Sequence, residues 1–342
     1  MNKPCKNKMR RRILTVYVIS ALLLLLSLAA SLSFGAVRLM PHELFCGLFC
    51  KDGYEIATTV IYHIRIPRVL AALISGIGLA ISGVLLQSVT ENPLAAPSII
   101  GINSGAGLGV MIFLTVFPTS TAICGGFLLQ LFAFFGAFLT TVIVILLAKR
   151  AGNGGASIIL SGVAINALFN AVISLLSLIN TDAIISYNIF SIGGFSGVGY
   201  ASLIAPGVIV VTCAVVSIFL SGRINLLSLG ADAASMLGVR VRALSFLLVI
   251  MASLCAASAV SIAGLIGFVG LVVPHVSRRL VGDSAARSIP LSIILGGILT
   301  TLADLFGRVL IPPTEIPVGI TMAAVGVPFF IVLRLRGRGR YL

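Results

Sequence analysis

The stretch MNKPCKNKMRRRILTVYVISALLLLLSLAASLSF, residues 1–34, consists of a cluster of basic residues followed by a long apolar run. Six lysines and arginines stand among its first twelve residues, and an uncharged apolar run follows from Ile13 to Phe34. A helix needs about 20 apolar residues to cross the hydrocarbon core of a bilayer. The run is too long for the apolar part of a signal peptide, and more apolar runs follow it. It therefore predicts a first transmembrane helix, with residues 1–12 as a basic cytoplasmic tail.

The composition extends this prediction to the rest of the chain. Of 342 residues, 59% are hydrophobic and 9% are charged, whereas soluble domains are about 25% charged. So few charges cannot cover the surface of a soluble fold of this size, and so much apolar surface excludes intrinsic disorder. The sequence therefore predicts an all-α polytopic membrane protein with one transmembrane domain over residues 1–342.

The apolar runs predict about ten transmembrane helices. With the amino terminus inside, the segments predicted to face the cytoplasm hold 18 of the 23 lysines and arginines, in agreement with the positive-inside rule. This topology places both termini in the cytoplasm, and the net charge of +14 then needs no nucleic acid as a partner. The predicted spans cover residues 13–34, 68–88, 97–117, 121–148, 157–179, 200–220, 243–263, 264–280, 289–310 and 315–335.

Several kinds of chemistry are missing from the sequence. No Gly-Lys pair occurs, so the chain has no P-loop to bind a nucleotide. Three histidines and no H-E-x-x-H motif predict neither a metal site nor a cofactor. Asp304 is the main acidic residue within a predicted span, and an ion-coupled secondary transporter, the first alternative, usually carries more ionisable groups at membrane depth. If this chain transports a substrate, the energy must come from another chain.

Two smaller features leave alternatives open. The sequence Gly194-Phe195-Ser196-Gly197 matches the nucleophile motif of an intramembrane serine protease, which would need His275 as its base, but it also matches a plain Gly/Ser loop. Cys46 and Cys50 share one short loop, where they form either a disulfide or two free thiols.

Five segments, taken in order, resemble the FecCD family of ABC-transporter permeases, the membrane subunits of importers for iron-siderophores, haem and vitamin B12. The resemblance runs from about residue 60 to the carboxyl terminus. The segments are Arg65-Ile66-Pro67-Arg68, Asn92-Pro93-Leu94, Leu229-Gly230 with Ala234 and Leu237-Gly238, Gly264-x-Ile266-x-Phe268-x-Gly270-Leu271-x-x-Pro274-His275-x-x-Arg278, and Glu315-x-Pro317-Val318-Gly319.

The resemblance implies the type II ABC importer fold, a location in the cytoplasmic membrane and no catalysis by this chain. It also implies three kinds of protein partner: a second permease copy or a paralogue, two ATP-binding subunits on the cytoplasmic face, and an extracytoplasmic substrate-binding protein. The cargo it favours is a ferric siderophore, with haem and cobalamin as alternatives.

The three arginines Arg65, Arg68 and Arg308 lie on the predicted outer side, against the positive-inside rule. One interpretation makes them anchors at the lipid interface. The other makes them a basic docking surface for acidic residues of a soluble partner. The resemblance implies docking, because family members meet glutamates of the substrate-binding protein at these positions.

Two segments on the predicted inner side have their own interpretations. Asn92, Pro93 and Leu94 form either a plain tight turn or, as the resemblance implies, part of a cytoplasmic gate. The long inner loop, residues 221–242, predicts two short helices with glycine ends rather than a span. These helices either lie on the membrane surface or, as the resemblance implies, couple to the ATPase through Leu229, Gly230, Ala234, Leu237 and Gly238.

Overall fold

The computed structural model describes residues 3–35, 40–49, 54–117, 125–150, 152, 155–312 and 314–337. Helices make up most of these residues, and no β-strand occurs among them, so the all-α prediction is confirmed. A π-helical segment, Val60–Arg65, joins two of the helices into one continuous rod. The helices are α1 (Lys3–Ser33), α2 (Pro41–Phe49), α3 (Glu55–Thr59), α4 (Ile66–Thr90), α5 (Ile102–Val116), α6 (Gly125–Arg150), α7 (Gly155–Ile179), α8 (Thr181–Ile192), α9 (Ala201–Leu227), α10 (Ala231–Met236), α11 (Val241–Ala263), α12 (Val269–Val281), α13 (Ala285–Val309) and α14 (Val318–Gly337).

The helix lengths support a multi-pass membrane protein. In the part of the chain that the structure describes, seven helices are long and apolar enough to cross a bilayer. Two further predicted spans correspond to shorter apolar helices, 102–116 and 318–332. The span predicted at 264–280 corresponds to α12, whose 13 residues reach only about 20 Å. The count of ten spans therefore stays a prediction.

One local expectation differs from the structure, and another stays a prediction. Residues 3–12 are helical, because α1 runs without a break from Lys3, and their place in the cytoplasm stays a prediction. Residues 221–242 hold one separate short helix instead of two, since α9 continues to Leu227 and only α10 stands apart. Neither glycine nor proline interrupts residues 223–229, so nothing ends α9 before the turn at Gly230.

The central helix is α4, which packs against α9, α11, α12 and α13. Its contact with α13 depends on glycine, because a Cβ on Gly76 would lie 2.3 Å from the carbonyl oxygen of Gly296. Small residues allow such close backbone contact between helices in a membrane. Cys213 and Cys255 are buried in this packing. Cys46 is described but Cys50 lies outside the described residues, so their pairing is untested.

The length of α4 separates two functional regions. Arg68 lies in its first turn, and the Asn92 turn follows its last residue. A helix of 25 residues is about 37 Å long. We call the end of the bundle around Arg68 the arginine end, and the end around Asn92 and residues 221–242 the loop end.

Candidate functional site

The arginine end brings together all three predicted docking residues, but it buries them. Arg65 ends the π-helical segment, Arg68 lies in the first turn of α4, and Arg308 lies in the last turn of α13. Their relative exposures are only 3%, 8% and 3%. A docking surface would present guanidinium groups that a soluble partner can reach, whereas this chain surrounds them with its own carboxylates and carbonyl groups.

Asp304 of α13 is the centre of this arrangement. Arg68 donates from Nε and Nη2 to Asp304 Oδ1 at 3.0 and 2.9 Å, with Nε also 3.2 Å from Oδ2. Arg308 Nε lies 3.1 Å from Asp304 Oδ2. The two groups form an ion pair, but the geometry of the Nε–H does not make it a hydrogen bond. The carboxylate is 2% exposed. A two-point contact between arginine and carboxylate is among the strong hydrogen-bonded pairs, so it fixes α4 against α13.

Glu315 extends the network to the segment before α14. Arg68 Nη1 donates to Glu315 Oε2 at 2.7 Å, and Ser196 Oγ donates to the same oxygen at 3.2 Å. Partial burial raises the pKa of the Glu315 carboxyl, but the hydrogen bond and the charge of Arg68 outweigh this effect, so the pKa lies below its ordinary value. The motif Glu315-x-Pro317-Val318-Gly319 does not by itself indicate a role for Glu315, because only the fold brings this residue to Arg68.

Arg65 and Arg308 hold the end of α1. Arg65 Nη1 donates to the Ser33 carbonyl at 2.8 Å and also to that of Leu32. Arg308 donates from Nη1 to the Phe34 carbonyl and from Nη2 to that of Ser31, each at 3.3 Å. The last carbonyl groups of a helix lack partners within it and carry partial negative charge. The two arginines therefore cap α1 and attach it to α4 and α13.

A cavity of ≈ 680 Å³ opens beside this network. Arg68, Ser196 and Glu315 line it, with the glycine-rich stretch 193–199 and polar side chains that include Gln130 and Ser186. Such a surface can hydrogen-bond a polar solute. Ser196 faces a carboxylate, and the ring of His275 packs 6.0 Å from that of Phe329 on α14. Among the contacts described for Ser196, there is therefore no histidine that could act as the base of a serine protease.

At the loop end, residues 92–94 form a compact turn. The Leu94 N–H donates to Asn92 Oδ1 at 2.9 Å, and the Ala95 N–H donates to the Asn92 carbonyl at 3.1 Å. Pro93 lines a cavity of ≈ 490 Å³ whose other walls include Asn225, Arg278 and Asp283. The turn thus faces α9 and the junction of α12 with α13 across an open space.

The predicted coupling residues lie around α10. Gly230 and Gly238 bracket this helix with positive φ angles of 98° and 81°, which glycine adopts without strain. Ala234 is fully buried, whereas Leu229 and Leu237 are 62% and 58% exposed. The short helix is therefore held by its alanine face and presents two leucines outward.

No metal-binding group emerges from the described ranges, which contain no cluster of three or more His, Cys, Asp or Glu side chains. The arginine end is a salt-bridged polar network, and the loop end is an open turn with an exposed short helix.

Comparisons with known proteins cover nearly the whole chain. The FecCD transport family matches residues 23–336. The Fe(3+)-citrate import system permease protein YfmE of Bacillus subtilis is 33% identical over 97% of each chain. The iron(3+)-hydroxamate import system permease protein FhuG of the same organism is 32% identical over 94% of this chain and 97% of its own. A solved ABC transporter, of the metal-chelate type by its description and in an inward-facing conformation, superposes with a TM-score of 0.82 at 32% identity, covering 94% of this chain and 99% of its own.

Proposed function

The chain belongs to the FecCD transport family, and from this premise we propose that it is the permease subunit of an ABC importer for a ferric siderophore. The family consists of membrane subunits and not of enzymes, so ATP hydrolysis takes place on a partner chain. The observation that carries the proposal is the full-length similarity to permeases for iron citrate and iron hydroxamate. These two relatives carry different iron chelates, which makes the iron-chelate class better supported than any one chelate.

The proposed orientation puts the loop end in the cytoplasm. The distribution of lysine and arginine supports it, because 18 of 23 fall on that side when the amino terminus is inside. Two copies of this chain, or one copy and a paralogue, would then form the pathway at their interface. ATP binding and hydrolysis would shift the pathway between outward-open and inward-open states.

The arginine end is the proposed docking surface for the substrate-binding protein. The network contains three positive charges, on Arg65, Arg68 and Arg308, and two negative charges, on Asp304 and Glu315. Its net charge is therefore one positive charge, which suits an acidic partner. Because the arginines are buried, they act in docking mainly by holding the surface in shape. The exception is the Arg68–Glu315 contact, where the Glu315 side chain is 30% exposed and a partner's carboxylate can compete for Arg68.

The loop end is the proposed site of energy coupling. The exposed Leu229 and Leu237 next to Gly230 and Gly238 suit a groove of the ATPase, since an apolar helix face binds well in an apolar groove. The turn at Asn92, Pro93 and Leu94 is the proposed cytoplasmic gate. Its support is the cavity beside Pro93, because irregular backbone at membrane depth is tolerated where it lines a cavity.

Uptake by a deletion strain tests the function. The strain would be supplied with ferric citrate, a ferric hydroxamate, haem and cobalamin, each labelled. We expect loss of uptake of at least one ferric siderophore, restored by the wild-type gene and not by a Leu237→Asp variant. Normal siderophore uptake together with loss of haem or cobalamin uptake would contradict the proposed cargo.

A further inference from the structure

A second cavity at the loop end lies between α6 and α11 and has no part in the proposed transport function. Its volume is ≈ 570 Å³, within the range of about 300–1,000 Å³ that is common for small-molecule sites. The end of α6 and the start of α11 form its sides, and residues of α4 and α7 complete it. The cavity thus opens where four helices of the bundle end.

The walls and the rim of this cavity differ in chemistry. Ile145, Ala148 and Val249 are buried apolar wall residues, and Ile145 and Val249 lie one to two helical turns from the ends of α6 and α11. Lys149 and Arg242 are exposed and stand at the rim with Ser245 between the helices. Lys149 Nζ lies 5.1 Å from the centroid of the Phe246 ring, which also lines the cavity, so this contact keeps the exposed ammonium group at the rim.

This separation of apolar walls from a cationic rim indicates the kind of ligand. The described residues that line the cavity include two cations and no carboxylate, so an anion at the rim meets no repulsion from them. The apolar part favours a hydrocarbon chain, and basic pockets between transmembrane helices suit anionic lipid head groups. Among the components of a bilayer, an anionic phospholipid joins both parts, a phosphate for the cationic rim and acyl chains for the apolar walls.

We propose that this cavity binds one anionic phospholipid, with an acyl chain between Ile145 and Val249 and its phosphate at Lys149 and Arg242. The lipid would fill the space between α6 and α11 beside the coupling segment. This proposal requires neither the iron-chelate cargo nor the docking surface, so it can fail or succeed independently of both.

The test is lipid binding to the full-length chain, purified from membranes in the assembly that it forms and stripped of loose lipid. Native mass spectrometry would follow titration with phosphatidylglycerol, with phosphatidylcholine of the same acyl chains, and with glycerol phosphate as a soluble head group. We expect one phosphatidylglycerol to bind before any phosphatidylcholine. Each cation contributes about a 5-fold gain in affinity, so Lys149→Gln with Arg242→Gln should weaken phosphatidylglycerol binding by about 25-fold.

The matched control is Arg150→Gln with Arg240→Gln, which removes two neighbouring exposed charges that do not line the cavity. It should leave the first phosphatidylglycerol in place. Equal affinities of the two double variants would overturn the proposal, as would displacement of the lipid by glycerol phosphate, which would reveal an anion site without a lipid chain.

A second pair of variants tests the acyl chain. Ala148→Phe places a ring in the cavity and should abolish binding of both lipids, whereas Leu147→Phe at the neighbouring exposed position should not. Unchanged binding by a correctly assembled Ala148→Phe variant would also overturn the proposal. If that variant fails to assemble, the charge variants decide alone.

Discussion

Asp304 is a buried carboxylate that faces Arg68 and Arg308 at the same time. Buried ion pairs contribute little over an apolar pair of the same shape, but loss of one partner is costly, because the other charge is left without compensation. In this chain the two arginines also hold the end of α1 and the Glu315 segment. One carboxylate thereby determines whether several elements of the arginine end stay together.

Asp304→Asn should therefore strongly destabilise the chain. We expect a loss of about 3–5 kcal/mol, since the buried Arg308 would lose its carboxylate partner and the buried Arg68 would keep only Glu315. Thermal unfolding of the purified protein in detergent would measure the change. The control is Asp182→Asn, an exposed acid in the first turn of α8, where we expect a loss of at most about 1 kcal/mol. Equal melting temperatures for the two variants would contradict the role given to Asp304.

The Glu315 contact should make stability depend on pH in the acid range. The pKa of Glu315 is lowered in the folded chain, so its contribution is present above the unfolded value of about 4.3 and is lost as the pH falls through the lower folded value. Melting curves from pH 7 to pH 3 should fall more steeply below about pH 4.3 for the wild type than for Glu315→Gln. Parallel curves would show that this ion pair does not affect folding.

The elements use glycine and small residues in two different ways. Between α4 and α13, glycines at the crossing bring two backbones into contact, and a side chain there would separate them. Around α10, glycines shape the turns at both ends of a helix that packs through Ala234, and the leucines that flank it, Leu229 and Leu237, are exposed. The first arrangement stabilises the bundle, and the second leaves a short apolar surface for a partner.

Gly76→Ala should destabilise the bundle, because the added Cβ would lie 2.3 Å from the Gly296 carbonyl oxygen. Packing strain of this kind costs about 1–3 kcal/mol. Gly222→Ala in α9 is the matched control, since nothing lies within 4 Å of its Cβ position, and alanine there should be neutral or stabilising by up to about 1 kcal/mol. The measurement is the melting temperature of each variant in detergent. The same melting temperature for Gly76→Ala and Gly222→Ala would rule out tight packing at Gly76.

Leu237→Asp should uncouple the permease from its ATPase without unfolding it. The side chain is 58% exposed, so the charge costs little in the free chain, but it would be buried in an apolar groove on assembly. Co-purification of the ATPase and its transport-linked hydrolysis are the measurements. Leu310→Asp, equally exposed at the arginine end, is the control and should retain the ATPase. Wild-type co-purification and uptake with Leu237→Asp would place the coupling surface elsewhere.

The arginine end and the loop end lie at opposite ends of α4, about 37 Å apart. At this distance, well beyond the screening length of about 10 Å at 0.1 M salt, exposed charges at one end do not act directly on the other. A change of exposed charge at the arginine end should therefore alter docking of the binding protein without altering ATPase binding, and a change of exposed charge at α10 should do the reverse.

Docking of the binding protein should respond to the charge at Glu315. Glu315→Gln raises the net charge of the arginine network from one to two positive charges and leaves Arg68 Nη1 for a partner's carboxylate. We expect faster association and tighter binding in nanodiscs at low salt, with the gain shrinking as salt screens the charges. Glu91→Gln, an exposed acid at the loop end, is the control and should bind like the wild type. Unchanged or weaker docking of Glu315→Gln would contradict the proposed surface.

The prediction of an all-α polytopic membrane protein follows from the sequence alone. Apolar runs of about 20 residues must form helices in a bilayer, because only a helix satisfies every backbone group within one segment. That argument located α1, α4, α6, α7, α9, α11 and α13, and five motif segments identified the family.

Tertiary structure decided what the charged residues do. In the sequence, Arg68 and Glu315 stand 247 positions apart, so no local pattern shows that they meet or that Asp304 lies between Arg68 and Arg308. From the sequence alone, these arginines were either anchors at the lipid interface or a docking surface on the outer side. Only the packing of α4 against α13 gives them counter-charges inside the protein, and those contacts offset the cost of burial.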